Sequence, residues 1–309
     1  MERLEYDGYG GPEVVHLRSF TLPQPTSNEV VVRVTAASIN PMDWKIRSGQ
    51  MKMFTGSKFP RGLGADFSGI VEAVGSNVSA FKPGDAVLGT VSMKRSGAFA
   101  PMLITTQDLI VKKPANVSFA AAASLPVAGV TAWEVLVKKA GLKRGQTVFI
   151  NGAMGAVGQA AVSIARGIGA QITGRVSPQS IAQAQALGVD TALDYTKTLP
   201  SSLNGAYDVV FDCNGSLSPQ EAKRLLKPGG IVFDITPTGP KILSSIISRS
   251  YQIVSANVKA ENLQPVVDLV ESGKLVIPIA RTISLADASA QLAALERGER
   301  LNGKVVIAF

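Results

Sequence analysis

Five short runs of apolar and β-branched residues, 14–17, 30–36, 69–74, 86–88 and 103–105, punctuate the first third of the chain, separated by Gly- and Pro-containing turns. Runs of this length and composition predict strands, and so a compact, mostly β domain over residues 1–117. At Phe119 the pattern turns alanine-rich in AAAASLPVAGVTAWEVLVKKAGL, which predicts two helical stretches around Pro126. From residue 147 strands and helices alternate, with strands expected at 147–150, 171–173, 191–193, 208–211, 231–235 and 252–256. Helices fit between most of them, at 158–168, 179–187 and 219–226. Such alternation predicts an α/β fold in which a second domain, residues 118–257, is a doubly wound parallel sheet. Two amphipathic helices follow, at 263–272 and 286–297, and then the buried-looking strand GKVVIAF. Six strands already complete the parallel sheet, so residues 258–309 are expected to return to the first domain. The segment TPTGPKILSSIISR, 236–249, is the least predictable and is expected to be a loop.

Composition narrows the classes. Hydrophobic residues make up 46% of the 309-residue chain, yet no apolar run approaches the roughly 18 residues that span a bilayer. MERLEYDGYGG at the start has no apolar signal core. A cytoplasmic protein without a membrane span is expected, and Cys213, the only cysteine, allows no intrachain disulfide. The net charge of +8 comes from scattered basic residues with short pairs such as Lys112-Lys113 and Lys143-Arg144. With no RNA-binding or zinc-finger pattern beside them, nucleic acid is not an expected partner. The charge reads as solubility and attraction for an anionic cofactor.

The stretch TVFINGAMGAVGQAAVSIARGIG, 147–169, carries the clearest chemistry. A β-prone run enters a turn with Gly152, Gly155 and Gly158 and leaves as a helix of small residues. This is the opening of a dinucleotide-binding unit: backbone N–H groups at a helix start approach a pyrophosphate only where no Cβ intervenes, and the helix dipole favours the negative charge. A tight turn without ligand has the same signature, but the alternation downstream favours the cofactor. An NAD-selective fold places Asp or Glu at the end of its second strand. This chain has Thr173-Gly174-Arg175 there, followed by Ser177 and Ser180. A guanidinium and hydroxyls suit a 2'-phosphate, so NADPH is expected over NADH. The competing reading of Arg175 is a solvated loop arginine.

A catalytic zinc needs three protein ligands and a structural zinc usually four, mostly cysteine. With one Cys and one His, no metal is expected. His16, in the strand-like VVHLRSF, reads as structural or surface. Cys213, in FDCNG at the end of the fourth strand, is expected near the cofactor because ligands gather at strand carboxyl ends, and not as a nucleophile.

Several ordered motifs complete the picture: NPMDWK at 40–45, GADFSGIVEAVG at 64–75, KPGDAV at 82–87, GAFA at 97–100, LPVAGVTA at 125–132, DITP at 234–237 and Gly303-Lys304. With the glycine turn, they make the chain resemble the zinc-free quinone oxidoreductase and alkenal/one oxidoreductase branch of the medium-chain dehydrogenase/reductase superfamily over essentially its whole length. The resemblance implies a GroES-like catalytic domain, a Rossmann domain and a cleft where nicotinamide meets substrate. Zinc-containing relatives would carry GHExxG where this chain has Ala65 in place of the histidine ligand. Carried over by position, Gly155, Ala156 and Val157 would hold the pyrophosphate. Arg175, Ser177 and Tyr195 would sit at the 2'-phosphate. Thr131, Cys213, Ile235 and Pro237 would flank the nicotinamide, and Lys304 would lie near the cofactor. Where the family often has a further basic residue this chain has Gln179, which leaves Arg175 to act alone.

The expected activity is hydride transfer from NADPH to a quinone or to the conjugated C=C of an α,β-unsaturated ketone or aldehyde. Lys45 is the first candidate donor to the oxygen that gains charge and Asn40 the second. Asp66 reads mainly as a hydrogen-bonded structural acid, while Asn40 and Asp43 read equally as residues that fix the loop by Asx-type bonds and as substrate contacts. The rival readings are an NADPH-binding sensor with little turnover and an enoyl thioester reductase. The resemblance also suggests a homodimer formed by edge pairing of the Rossmann sheets.

Overall fold

A computed structural model describes residues 1–309. Two compact units emerge: Met1–Val127 with Val258–Glu271 and Ile277–Phe309, and Ala128–Asn257 with Ser272–Val276.

The first unit is built on the long strand Glu29–Ser38, in which only Arg33 is exposed. It pairs antiparallel with Asp66–Val74 and Met102–Thr106, and at its far end with Lys304–Ala308. Ala86–Thr90, Ile110–Lys112 and Ile279–Ile283 complete a seven-stranded sheet, and Val15–Ser19, Glu2–Tyr6 and Arg61–Gly62 form a smaller one. Leu4, Val30, Val32, Phe67, Phe99, Val305 and Ile307 belong to one buried cluster. Residues 258–271 and 277–309 return to this unit, where Ile307 pairs opposite Ala37 and places GKVVIAF inside the sheet. The first unit runs on to Val127, past the 117 read from composition. The helix Phe119–Ala123, capped by the Ser118 hydroxyl accepting from Ala121 N at 3.2 Å, packs Ala123 against Ala36 and Val306.

The second unit holds a six-stranded parallel sheet in the order Thr191–Asp194, Gln171–Val176, Thr147–Asn151, Tyr207–Asp212, Leu226–Asp234, Tyr251–Ile253. Strand order reverses at the strand that comes first in sequence, Thr147–Asn151, and in such sheets ligands bind at the carboxyl ends beside the reversal. Val148, Phe149, Ile150, Val210, Phe211, Val232 and Phe233 are buried, as expected for strands covered on both faces. Gln171–Val176 is longer than expected and keeps Arg175 within the strand.

Residues 236–249 are not a loop. Gly239–Ile247 is a helix with Pro240 in its first turn, and its polarity is inverted. Lys241 and Ser244 are buried at 4% and 6% exposure, while Leu243, Ile246 and Ile247 stand 59%, 75% and 73% exposed.

Candidate active site

Each unit carries candidate residues of its own. In the second, the strand Thr147–Asn151 ends in a turn from which the helix Ala156–Ile168 departs, with Gly155 at its N-cap and no side chain capping that end. Its first amide donors, those of Ala156, Val157 and Gly158, come too early for intrahelical bonds. A Cβ on Gly158 would collide with the Gly152 carbonyl oxygen and the Ala153 backbone, so glycine lets the turn fold under the helix start. This uncapped 13-residue helix end fits a pyrophosphate.

The parallel neighbour brings Arg175 opposite Asn151. Arg175 Nη2 donates to the carbonyls of Tyr195, at 2.9 Å, and Lys197, at 3.3 Å, and its buried Nε has no partner. Tyr195 N donates to Val176 O at 2.9 Å, and the Ser177 and Ser180 hydroxyls are 2.7 Å apart. The structure therefore gathers Arg175, Ser177 and Tyr195 at one sheet edge, with the Tyr195 side chain 52% exposed. An orphaned guanidinium nitrogen beside hydroxyls and no carboxylate from 173 to 180 is a donor set that fits a phosphate.

Beyond the central strands lies a buried ionic knot that sequence reading missed. Asp212 and Asp234, both fully buried at the ends of their strands, flank the Lys241 ammonium at 3.5 and 2.6 Å. Lys241 also donates to Gly215 O at 2.9 Å and Thr236 Oγ1 at 3.2 Å. Asp212 accepts from the amides of Gly215 and Leu217 and from Asn151 Nδ2, and Asp234 accepts from the Tyr251 hydroxyl at 2.8 Å. The knot fixes two loops against each other so closely that a Cβ on Gly215 would strike Thr236. These loops carry Cys213, Ile235 and Pro237. Cys213 N donates to Asn151 O at 3.0 Å, and Ile235 N reaches Asp212 O at 3.4 Å. Burial, reinforced by Asp212 and Asp234, pushes the Cys213 thiol well above its ordinary range, which leaves it a poor nucleophile. Thr131 is buried in the helix Pro126–Trp133.

In the first unit, the helix Pro41–Arg47 starts from Asn40, whose backbone N donates to Asp43 Oδ2 at 2.7 Å. The Asn40 side chain points inward. Lys304 Nζ donates to its Oδ1 at 2.6 Å and to Ile39 O at 2.9 Å. Asn40 Nδ2 donates to Asp66 Oδ2 at 3.0 Å and more weakly to Ser38 O at 3.4 Å. Val127 N adds a bond to Asp66 Oδ2 at 3.1 Å. Asn40, Asp43, Asp66 and Lys304 are all at most 5% exposed.

Burial pushes the Asp66 carboxyl up to about 6 against the pull of Lys304 and Asn40. It pushes Asp43 up to about 7, with Asp66 adding to the rise, and pushes the Lys304 ammonium down. Asn40 has both ends of its amide engaged, a geometry that braces the helix start. Lys304 gives its ammonium to Asn40 and Ile39, which joins Gly303-Lys304 to this cluster. Lys45 lies on the same helix, half-buried. His16 is an exposed strand residue, and no three His, Cys, Asp or Glu side chains are grouped to hold a metal.

The alcohol dehydrogenase GroES-like domain family matches residues 26–115, and the zinc-binding dehydrogenase family matches residues 187–307. The chain is 36% identical over 293 residues to the chloroplast envelope quinone oxidoreductase homolog of Arabidopsis thaliana, covering 89% of this chain and 88% of that one. It is 32% identical to the NADPH-dependent alkenal/one oxidoreductase, chloroplastic, of the same plant, over 87% of this chain and 72% of the relative. The quinone oxidoreductase structure from Coxiella burnetii superposes with a TM-score of 0.91 at 29% identity, covering 100% of this chain and 99% of that one. With its GroES-like sheet, its Rossmann sheet and alanine at the histidine-ligand position, this chain belongs to the quinone oxidoreductase and alkenal/one oxidoreductase branch of the medium-chain dehydrogenase/reductase superfamily.

Proposed function

We propose that this chain is a zinc-independent reductase that uses NADPH to reduce a quinone or the conjugated double bond of an α,β-unsaturated ketone or aldehyde. The observation that carries it is the pairing of an uncapped helix start at Gly155 with the orphaned Arg175 Nε on the adjacent strand. Relatives named as quinone oxidoreductases and as an NADPH-dependent alkenal/one oxidoreductase support the same reading. When bound, NADPH supplies the hydride.

The protein's residues supply binding and charge. The turn at Gly155, Ala156 and Val157 would hold the pyrophosphate, with the Ala156 and Val157 amides as donors because Gly155 N is bonded to Gly152 O. Arg175, Ser177 and Tyr195 would take the 2'-phosphate, and Thr131, Cys213, Ile235 and Pro237 would flank the nicotinamide. Lys45 donates to the acceptor oxygen as it gains charge. Asn40, Asp43, Asp66 and Lys304 hold the start of the helix that carries Lys45. Water provides the final proton.

The test is oxidation of NADPH, with NADH in parallel, when the purified protein is offered an ortho-quinone and a simple α,β-unsaturated ketone. Turnover with either acceptor, faster with NADPH, is the expected result. NADPH binding without turnover on either acceptor would overturn the proposal in favour of a sensor.

A homodimer is part of the proposal. Tyr251–Ile253 is the edge of the parallel sheet, and beside it the helix Gly239–Ile247 exposes Ile242, Leu243, Ile246 and Ile247. An apolar face next to an unpaired edge suits a second copy. Light scattering at micromolar concentration tests it, a monomer mass being the contrary result. Cytoplasmic residence is proposed on the single cysteine, and no helix is long and apolar enough to cross a membrane. Cell fractionation tests the location.

A further inference from the structure

A cavity of about 230 Å³ lies in the first unit, lined by residues of the strands Glu2–Tyr6, Arg61–Gly62 and Met102–Thr106 and by the loop of Lys94 and Arg95. Phe20, Pro23, Pro60 and Ile104 give it an apolar wall. Close packing fixes the loop, because a Cβ on Gly62 would stand 2.7 Å from the Gly97 Cα. Five cations line the cavity, Arg3, Lys58, Arg61, Lys94 and Arg95, and no Asp or Glu does. Arg61 is committed to Thr55 O at 2.6 Å, to Gly56 O at 3.1 Å and to the Tyr6 hydroxyl. Arg95 pairs with Glu29 at 2.6 Å. Arg3 gives only its Nε, to Glu5 at 2.7 Å, and its guanidinium lies 4.9 Å from the centre of the Phe20 ring. Lys58 and Lys94, both exposed, pair with no carboxylate.

We propose that this cavity binds a small aromatic carboxylate, its ring on the apolar wall and its carboxylate on Arg3, with Lys58 and Lys94 adding charge. Five cations meet only two carboxylates, Glu5 and Glu29, an excess that attracts an anion. An inorganic anion would leave the apolar wall to water, and a neutral aromatic molecule would leave the cations unanswered. One molecule with both parts satisfies both surfaces. The Nη groups of Arg3 present parallel donors to a planar carboxylate, while the two ammonium groups act as point charges without a required geometry. The volume falls below about 300 Å³, where sites for drug-sized molecules begin, so the cavity suits a single ring. Every residue named here belongs to the first unit, so binding should not depend on NADPH.

The probe is benzoate, titrated calorimetrically into the whole chain with and without saturating NADPH. A dissociation constant on the order of 0.1–1 mM is expected, the same in both. Acetate, which lacks the ring, and benzyl alcohol, which lacks the charge, should each bind at least about tenfold more weakly. A loss of about the same size is expected for benzoate in Arg3→Gln and in Lys94→Glu. Should Arg3→Gln fail to fold, Lys94→Glu, an exposed substitution, keeps the test decisive. A crystal soaked in 4-bromobenzoate should show its bromine anomalous peak against the Phe20 wall. Acetate or benzyl alcohol binding as well as benzoate, undiminished binding in Lys94→Glu, or loss of binding under saturating NADPH would each overturn the proposal. So would a bromine peak elsewhere, or one in the cavity without measurable binding in solution.

Discussion

The Lys304 ammonium donates to Asn40 Oδ1 at 2.6 Å across 264 positions of sequence, and this one bond sets the orientation of the whole amide. With Oδ1 taken by the cation, Nδ2 must face Asp66, and the helix Pro41–Arg47 starts from a buried ionic anchor.

Lys304→Met removes the only cation from this anchor and leaves two buried carboxylates facing each other. Breaking one side of a buried ionic cluster typically costs about 3–5 kcal/mol, and a loss near the lower end is expected because the acids can protonate. Urea unfolding measures it. Turnover should fall with it while NADPH affinity, proposed above to rest on the other unit, stays essentially unchanged; an unmoved urea midpoint would contradict the anchor.

The same acids set a pH dependence. A carboxyl whose folded pKa is raised holds its proton longer when folded, so between the unfolded and folded values the native state binds more protons and stability falls as pH rises. For Asp66, raised from 3.8 to about 6, and Asp43, raised to about 7, stability should decline from roughly pH 4.5 to 7. Asp208, which Lys227 and Thr147 hold at about 2 despite its burial, acts in the opposite sense but only below pH 4. Chemical denaturation across this range should give a falling curve that flattens in Asp66→Asn. A curve of unchanged slope in that variant would place the titration elsewhere.

Arg175→Ala should weaken NADPH binding by about 1.5–3 kcal/mol, the worth of hydrogen bonds to a charged group, and leave NADH nearly unaffected. Fluorescence titration with both cofactors separates the two. Equal losses would return Arg175 to its bonds with the Tyr195 and Lys197 carbonyls alone.

For Lys45→Ala the expected change is in kcat, by roughly tenfold to a hundredfold if the ammonium meets developing charge, with NADPH affinity retained. Steady-state kinetics with a quinone and an enone would show it. Unaltered kcat with both acceptors would remove Lys45 from the chemistry.

Lys241→Met takes the cation from between Asp212 and Asp234 and frees Gly215 from Thr236. A stability loss of about 3 kcal/mol or more is expected, together with weaker NADPH binding as the two loops separate. Native-state hydrogen exchange should show faster exchange at the amides of Gly215 and Leu217, whose acceptor is Asp212; protection equal to wild type would mean that the loops hold without Lys241.

The parallel sheet was legible because each strand is a local apolar run and the glycine turn has a single steric purpose. All six strands lie where the runs predict them, with shifts at the ends. The helix Gly239–Ile247 was not legible. Its segment opens on Thr-Pro-Thr-Gly-Pro, and its apolar residues at 242, 243, 246 and 247 face outward, so reading them as a core face would have inverted the helix. Site chemistry divided the same way. Arg175, Ser177 and Tyr195 were found together because they stand at or just past the carboxyl ends of neighbouring strands. The bond from Lys304 to Asn40 was not legible because nothing in the local sequence of either residue records the other, and Lys241 gave no signal since its partners Asp212 and Asp234 come from two other strand ends.

The sheet of the first unit sets an order of assembly. Lys304–Ala308 lies between Ile279–Ile283 and Glu29–Ser38, so two segments more than 260 positions apart (266 from Ser38 to Lys304) must meet to finish it, while all residues of the second unit, through Val276, are made before Lys304–Ala308. On a translating ribosome the Rossmann unit can therefore fold while the GroES-like unit still lacks its closing strand. During that interval the edge of Glu29–Ser38 is open to wrong pairing. The arrival of Lys304–Ala308, rather than of Glu29–Ser38, is the moment at which this sheet becomes whole.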